Sequence, residues 1–497
     1  MSKFKNLNGN PFSQFSAEEE LDFLKEIYYK PHYYDELKTN ATNGSTRILI
    51  GQRGQGKSAT IHFLFEDLKD NNTLPLLISR YDGVPLTSNE PYFLYLIMRT
   101  LTNGIAKHLF EEKKARKKLS SIQKKRLSFF VELFYDPEIS EEYIEEAKVI
   151  KNKKRLNKFI LFFNSNLKLI NKIADGLVKM TSDIVRKSIG LNVPDADISD
   201  VAHEYFSSIK MSEIRSINMD EIASIDKGKL TQMLKQLIEI ANSIGYQSVV
   251  IFFDQMDEFK QVSTDVNKVA DFIVDILSDI ELLYTRHLSI IFSLWSEVKR
   301  KLNNRIRFDK FKNIDIEWRQ EELARIVDKR LLYYSIDKSQ PVTLESLIPD
   351  DNNKRLVLDL ADKSPRSLIR LLNDLYNSDV DANESLSFSP NAFTKGIMDF
   401  CVNFDYESMQ PSKVDNKQNY YSWLEKVLSC KKASISADDI VSEFSVNNKT
   451  AAKHIAELEK LGIVEKTLYL NDKGNPFYDV KDPRLRFLIS RGIMKLK

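Results

Sequence analysis

The sequence has little cysteine, histidine, glycine or proline. Its 497 residues include 2 Cys, 6 His, 15 Gly and 14 Pro. Cys401 and Cys430 are far from a metal-ligand spacing, and the scattered histidines have neither an HExxH nor a paired i, i+4 arrangement. The low Gly and Pro content argues against a fibrous repeat or wholesale disorder. Because the first residues also lack the apolar core of a signal peptide, a reducing cytoplasm is the expected location.

Long apolar runs and an excess of one charge are also missing. The longest apolar runs, residues 248–253 and 288–295, fall far short of the roughly 18–20 residues that span a bilayer, so they predict buried strands and no membrane partner. The net charge of +2 means that contact with nucleic acid must come from local patches. A chain of 497 residues should divide into about three units.

One glycine-rich loop matches the pattern G-x-x-x-x-G-K-[ST], between a strand at 47–50 and a helical pattern at 58–69. In such a loop, backbone N–H groups point at phosphate oxygens, the lysine neutralises β- and γ-phosphate charge, and the hydroxyl ligates Mg²⁺. A chance match to a glycine-rich turn is the alternative, which the strand and helix context disfavours. The predicted site for ATP consists of Gly51, Gln52, Arg53, Gly54, Gln55, Gly56, Lys57 and Ser58.

A magnesium-bound triphosphate also requires a carboxylate at the end of a neighbouring buried strand. The run 248–253 ends at Asp254, which is therefore predicted to bind Mg²⁺ together with Ser58. The alternative interpretation of Asp254 is a helix N-cap after a core strand.

Residues 254–258 resemble the Walker B region of AAA+ ATPases, especially of the initiator branch related to origin-recognition proteins, and of the neighbouring STAND ATPases. The resemblance covers about residues 10–376 outside an insertion, plus a C-terminal winged helix. In many AAA+ members the residue after the metal-side aspartate is a glutamate that orients the attacking water, whereas this sequence has Gln255. Either Asp257 or Glu258 takes that role, or hydrolysis is slow or stimulated by a partner.

The same resemblance implies further site residues. Ser293, at the end of an apolar strand, stands where the family has a group that senses the γ-phosphate. Arg366 opens a helix that looks like the lid-domain arginine motif. Arg305 or Arg307 lies where family members often carry an arginine that touches the nucleotide of an adjacent subunit, if the protein oligomerises. The alternatives are an ordinary strand-end hydroxyl for Ser293 and a surface arginine for Arg366.

The order of predicted elements indicates an α/β fold with a parallel sheet, a large helical insertion, a helical lid and a C-terminal winged helix-turn-helix. The expected divisions are an N-terminal lead-in at 1–45, an ATPase core at 46–310 with an insertion at about 92–246, a lid at 311–410 and the winged helix at 418–497. The last of these follows from three helical patterns and two strands joined by the turn 471–474.

In a helix-turn-helix the second helix enters the major groove with its N-terminal residues. The candidates for DNA contact here are Asn447, Asn448, Lys449, Thr450 and Lys453. Acidic neighbours such as Asp438 and Glu457 leave open a second interpretation, in which the winged helix contacts protein.

Basic clusters lie within the insertion, at 113–118, at 124–126 and at Lys151, Lys153, Lys154 and Arg155. Such runs are usually solvated helix faces, although they also suit a nucleic-acid or protein partner.

Taken together, these patterns predict an ATP-binding switch ATPase whose nucleotide state sets DNA binding or assembly into a homo-oligomer. The alternative is a STAND-type signalling or defence ATPase whose winged helix makes protein contacts.

Overall fold

The computed structural model describes residues 4–134, 227–262, 265–310, 312–379, 385–407 and 417–496. Residues 135–226, with the basic positions Lys151, Lys153, Lys154 and Arg155, lie outside the described part. So does most of the loop expected to separate lid from winged helix.

The larger sheet has five parallel strands in the order β2-β3-β4-β1-β5. Its strands are buried on both faces, which explains why they appear in the sequence as continuous apolar runs. The strands are β1 (Arg47–Gly51), β2 (Thr73–Ile78), β3 (Ser248–Phe253), β4 (Leu288–Trp295) and β5 (Asn313–Asp315).

Ten helices of the described chain precede or interleave with these strands. They are α1 (Leu24–Ile27), α2 (Tyr34–Thr42), α3 (Lys57–Leu68), α4 (Glu90–Glu111), α5 (Ala115–Lys118), α6 (Ser121–Phe134), α7 (Lys227–Ile244), α8 (Val266–Ser278), α9 (Ile280–Leu283) and α10 (Ser296–Leu302).

Alternate residues of each strand face two separate hydrophobic cores. Leu49 and Phe252 point into a core shared with α3, the N-terminal segment and the helices after the sheet. Ile48 and Phe253 point into a second core, formed with the insertion helices α4, α6 and α7. The sheet thus holds the insertion on one face and the parts described next on the other.

The lid follows the sheet and ends before the winged helix. Its helices are α11 (Gln320–Tyr334), α12 (Leu344–Leu347), α13 (Asp351–Leu360), α14 (Pro365–Ser378) and α15 (Pro390–Val402). The N-terminal segment packs on it through the isolated bridges Phe4 to Ser385 and Leu7 to Ser335.

The winged helix consists of α16 (Lys417–Ser429), β6 (Ser434–Ile435), α17 (Ala437–Phe444), α18 (Asn448–Lys460), β7 (Val464–Leu470), β8 (Pro476–Val480) and α19 (Pro483–Ser490). Its antiparallel sheet has the order β6-β8-β7. Gly462, with φ +70°, lies just after α18 in the left-handed region, where glycine is the favoured residue for ending a helix.

The fold class predicted from the sequence is confirmed, with three local differences. The sequence pattern predicts a helix over 17–29, whereas the structure has turns at 17–23 and a helix only at Leu24–Ile27. A second pattern predicts one helix over 356–376, but this helix is broken at 361–364, and the short strand β5 was not predicted.

Candidate functional site

The predicted phosphate loop lies between the end of β1 and the first turn of α3. Gly54 (φ +77°) and Gly56 (φ +82°) both adopt left-handed backbone conformations, which residues other than glycine adopt only with strain. This curl directs the loop toward the N-terminus of α3, where unpaired N–H groups and the helix dipole favour an anion.

The Lys57 side chain stabilises this loop conformation. Its Nζ donates hydrogen bonds to the carbonyl oxygens of Gly51 and Gln52, both at 3.0 Å. Burial lowers the pKa of Lys57, against the opposing effect of the nearby carboxylates Asp257 and Asp254. An ammonium group has three N–H donors, so Lys57 keeps one for an anionic ligand in the cleft.

Asp254 lies at the carboxyl end of β3 and is 2% exposed. Its backbone N–H donates to the Ile78 carbonyl at 3.1 Å, and its own carbonyl accepts from the Tyr81 hydroxyl at 2.6 Å. Within the described chain, the buried Oδ2 of Asp254 has no hydrogen-bond partner. A buried carboxylate oxygen in that state fits a position that is completed by a cation or water, as the Mg²⁺ prediction requires.

No helix begins at Asp254. The described residues 256–258 form turns, and the next helix, α8, starts at Val266 with Asp265 as its N-cap. The geometry therefore does not provide the N-cap role that was the alternative for Asp254.

The acidic residues after Asp254 have separate environments. Asp257 forms an ion pair with Arg53 at 3.2 Å, and the Arg53 guanidinium lies over the Trp295 ring at 4.8 Å from its centroid. Glu258 is exposed at the mouth of the cleft, where neighbouring protein raises its pKa chiefly by desolvation. Thus Asp257 already has a cation as its partner.

Gln255 adopts a positive φ of +57°, uncommon for a residue with a side chain. Its Nε2 donates to Oε1 of Glu18 at 2.7 Å. Glu18 belongs to the N-terminal segment and was not predicted as a site residue, since 237 positions separate the two in sequence.

Ser293 and Arg366 both line the same cleft as the loop. Ser293 is 4% exposed and lies beside Leu49 of the neighbouring strand. The N–H of Arg366 and the hydroxyl of Ser364 donate to the Gly54 carbonyl, at 3.2 and 3.3 Å. A methyl group on Gly54 would lie 2.7 Å from the Ser364 hydroxyl, so the lid sits directly against the phosphate loop.

The cleft is open to solvent and has a water-accessible volume of about 140 Å³. One part of its wall is apolar and aromatic, which suits a planar base. These wall residues are Phe15, Ala17, Leu24, Ile27, Tyr28, Tyr29, Trp318, Ile326 and Ile369. No local sequence signal marks them as a site, since they come from the N-terminal segment and the lid.

A buried ion pair holds that wall together. Arg330 of α11, 4% exposed, pairs with Glu20, and it also donates to the carbonyl of Pro11 and, at 2.5 Å, to that of Gln14. Burial raises the pKa of Glu20, against the effect of the Arg330 charge. Arg330 thereby ties residues 11–20 to the lid.

The other predicted arginines lie away from the cleft. Arg305 is exposed and pairs with Asp271 at 2.6 Å, while Arg307 is exposed and pairs with Asp309 at 2.9 Å. A contact with the nucleotide of an adjacent subunit stays a prediction for either one.

The DNA candidates lie together at the start of α18. Asn447 caps this helix by accepting from the Thr450 N–H at 2.9 Å, and Asn448, Lys449 and Lys453 are exposed. The adjacent wing has exposed apolar side chains, Leu468 at 99%, Tyr469 at 77% and Leu470 at 62%. In the insertion, Lys113, Lys114 and Lys117 are exposed, whereas Lys118 donates to the Ile244 carbonyl at 3.0 Å.

No family model matches this sequence, and no curated protein is significantly similar to it. Among solved structures, the chain is similar to the Orc1 protein of Aeropyrum pernix in complex with DNA, at 11% identity and a TM-score of 0.34 over 95% of each chain. The chain's own structure combines a five-stranded parallel sheet, a glycine-rich loop between β1 and α3, a helical lid and a winged helix. In the described part of the chain, every helix is too short or too polar to cross a membrane.

Proposed function

We propose that this protein is an ATP-binding switch ATPase that couples its nucleotide state to DNA binding through the winged helix. The observation that carries the proposal is a single turn of the lid, residues 361–364, which contacts the phosphate loop on one side and the winged helix on the other.

On the loop side, Ser364 and Arg366 hydrogen-bond to the Gly54 carbonyl. On the winged-helix side, Arg484 of α19 lies 3.5 Å from Asp362 and is 1% exposed. Asp362 (φ +50°) and Lys363 (φ +58°) are consecutive left-handed residues, so the turn is held in a sparsely populated conformation. A shift of the phosphate loop would therefore reach the winged helix through about five residues.

Arg484 is anchored on both sides of this junction. It pairs with Asp482 at 2.6 Å and stacks on the Phe404 ring at 3.7 Å from its centroid. Because a buried guanidinium tolerates few arrangements, the winged helix and the lid turn are expected to move together.

The residues present fit a triphosphate with Mg²⁺. The N–H groups of the loop and Lys57 would hold the phosphates, Ser58 and Asp254 would hold the metal, and Ser293 and Arg366 would face the terminal phosphate. Bound Mg²⁺ neutralises charge that develops on the phosphate oxygens during transfer. The apolar wall would receive the base.

Hydrolysis is expected to be slow. Gln255 replaces the glutamate that orients water in many AAA+ members, and Asp257 is neutralised by Arg53. A slow ATPase keeps each nucleotide state long enough to act as a switch.

The test combines nucleotide and DNA binding. Anisotropy titrations with duplex DNA are measured across salt concentrations, with ATPγS, ADP or no nucleotide. Because coupling is reciprocal, DNA should tighten ATPγS binding by the factor that ATPγS tightens DNA binding. Lys449→Ala with Lys453→Ala should lower the salt slope by about 2, whereas Lys460→Ala, at the far end of α18, serves as the control.

The exposed apolar wing favours a second candidate, a STAND-type signalling ATPase whose winged helix contacts protein. In that case the protein binds ATPγS, ignores DNA at every salt concentration and changes its elution volume in gel filtration with nucleotide. Failure to bind any nucleotide would overturn both candidates.

A further inference from the structure

The hydrogen bond between Gln255 and Glu18 joins two segments that meet only at the cleft. Gln255 directly follows the predicted metal-side carboxylate and lines the cleft, and its amide nitrogen is held by the Glu18 carboxylate at 2.7 Å. With Nε2 engaged, the free acceptor of the side chain is its carbonyl oxygen, Oε1.

Two other carboxylates around this part of the cleft already have cationic partners: Asp257 pairs with Arg53, and Glu20 pairs with Arg330. Glu258 lines the cleft and, like Glu18, is exposed. Asp254 is the candidate metal ligand. Among the described acidic residues, Glu18 is thus the one whose carboxylate contacts the Gln255 side chain.

We propose that Glu18 is a positioning residue for hydrolysis: it holds the Gln255 amide so that Oε1 accepts a hydrogen bond from the attacking water. The inference rests on the proposed ATPase function. It gives the N-terminal segment a role in ATP hydrolysis. This role differs from those of the phosphate loop and of the residues after β3.

An amide orients water without taking its proton. The water oxygen forms a bond to the γ-phosphorus while the bond from γ-phosphorus to the bridging oxygen breaks. The electron pair stays on the β-phosphate of ADP, and the water proton passes to a γ-phosphate oxygen, so that inorganic phosphate leaves. A glutamine in this role is used by GTPases, where it orients the attacking water.

The positive φ of Gln255 supports a positioned side chain. A strained backbone persists where surrounding contacts hold it, and Glu18 provides such a contact. Arg330 in turn fixes residues 11–20 to the lid, so Glu18 reaches Gln255 only while the N-terminal segment is docked.

The experiment compares Glu18→Ala, Glu18→Gln and the control Asp22→Ala, an exposed carboxylate of the same segment. Single-turnover rates and Kd values for ATP, ADP and ADP with aluminium fluoride, which mimics the in-line transition state, are measured for each. Glu18→Ala should lower the rate and the affinity for ADP with aluminium fluoride by about tenfold, with unchanged Kd for ATP and ADP. Glu18→Gln should keep both near wild type, because its carbonyl still accepts from Gln255.

Exchange of the two side chains gives a second measurement. Gln255→Glu alone places two carboxylates side by side, whereas Glu18→Gln with Gln255→Glu restores a hydrogen bond with donor and acceptor reversed. The double variant should bind ADP with aluminium fluoride more tightly than Gln255→Glu alone.

Three outcomes would overturn the inference: a Glu18→Ala variant equal to wild type, an equal loss in Asp22→Ala, or a wild type that binds ATP without detectable turnover. The first two leave the proposed switch ATPase standing, whereas the third leaves nucleotide binding but removes the ATPase activity on which the inference rests. Loss of ATP binding in the wild type is the separate result that removes the proposed function itself.

Discussion

The two walls of the cleft are built in different ways. The floor is the phosphate loop, where Lys57 bonds to carbonyls five and six residues earlier in the chain. The roof is made by the N-terminal segment and the lid, where Arg330 reaches a carbonyl 319 positions away. The floor is therefore a local structure, and the roof exists only when distant parts of the chain are docked.

This difference suggests a division of labour. The floor supplies the donors and the cation that give affinity for phosphate, whereas the roof carries the contacts that can change with nucleotide state. Substitutions in the floor should then weaken nucleotide binding. Substitutions in the roof should instead change protein stability and the coupling between nucleotide and DNA binding.

The largest effect is expected from Arg330→Met, in the roof. Removing this cation leaves the Glu20 carboxylate buried without its partner, which should cost about 3–5 kcal/mol of unfolding free energy. Urea unfolding at pH 7 measures the loss, and Arg325→Met, an exposed arginine of the same helix, is the control.

The pH dependence of the unfolding free energy shows whether the loss in Arg330→Met comes from the Glu20 charge. Burial raises the pKa of Glu20 in the folded state, so protonation favours folding and stability is lost as the pH rises through that pKa. The cost of Arg330→Met should therefore shrink as the pH is lowered through the pKa of Glu20. A cost that does not change across that titration would assign the loss to packing and not to charge.

The next effect concerns the floor. Lys57→Ala removes a charge-assisted contact to phosphate and should weaken ATP binding about 100-fold, with little change in the unfolding midpoint. Isothermal titration calorimetry measures the affinity, and Lys69→Ala, just past the other end of α3, should bind ATP like the wild type. Unchanged affinity in Lys57→Ala would contradict the assignment of the floor.

The smallest effect tests the contact between floor and roof. Gly54→Ala and Gly474→Ala impose nearly the same backbone strain, since their φ angles are +77° and +78°, and each should cost about 1 kcal/mol or more. A methyl group on Gly474 meets no atom within 4 Å, whereas one on Gly54 meets Ser364 and Arg366. Only Gly54→Ala should therefore weaken the coupling between ATPγS and DNA, as measured by anisotropy.

The parts of the site that could be predicted from the sequence are those built by local structure, as the floor is. The loop and Asp254 are marked by strand ends and a contiguous motif, so their positions follow from short-range patterns. The winged helix is equally local, since its core repeats at helical spacing and its hairpin turn is short.

The residues of the roof could not be predicted from short-range sequence patterns. Residues 17–23 have a helical apolar pattern but form turns, with Glu20 turned into a buried contact with Arg330. Glu18 has no distinguishing neighbour in the sequence, and its contact with Gln255 depends on how the N-terminal segment docks. The break at 361–364 likewise depends on contacts with Gly54 and Arg484 that no local pattern encodes.

The contact of Arg330 with Pro11 also has a consequence for synthesis. At translation rates of about 5–20 residues per second, the 319 positions between them take roughly 16–64 s to be made. Throughout that interval the aromatic residues near the N-terminus have no lid to pack against. During synthesis, residues 11–29 therefore remain without their packing partner until the lid has been made.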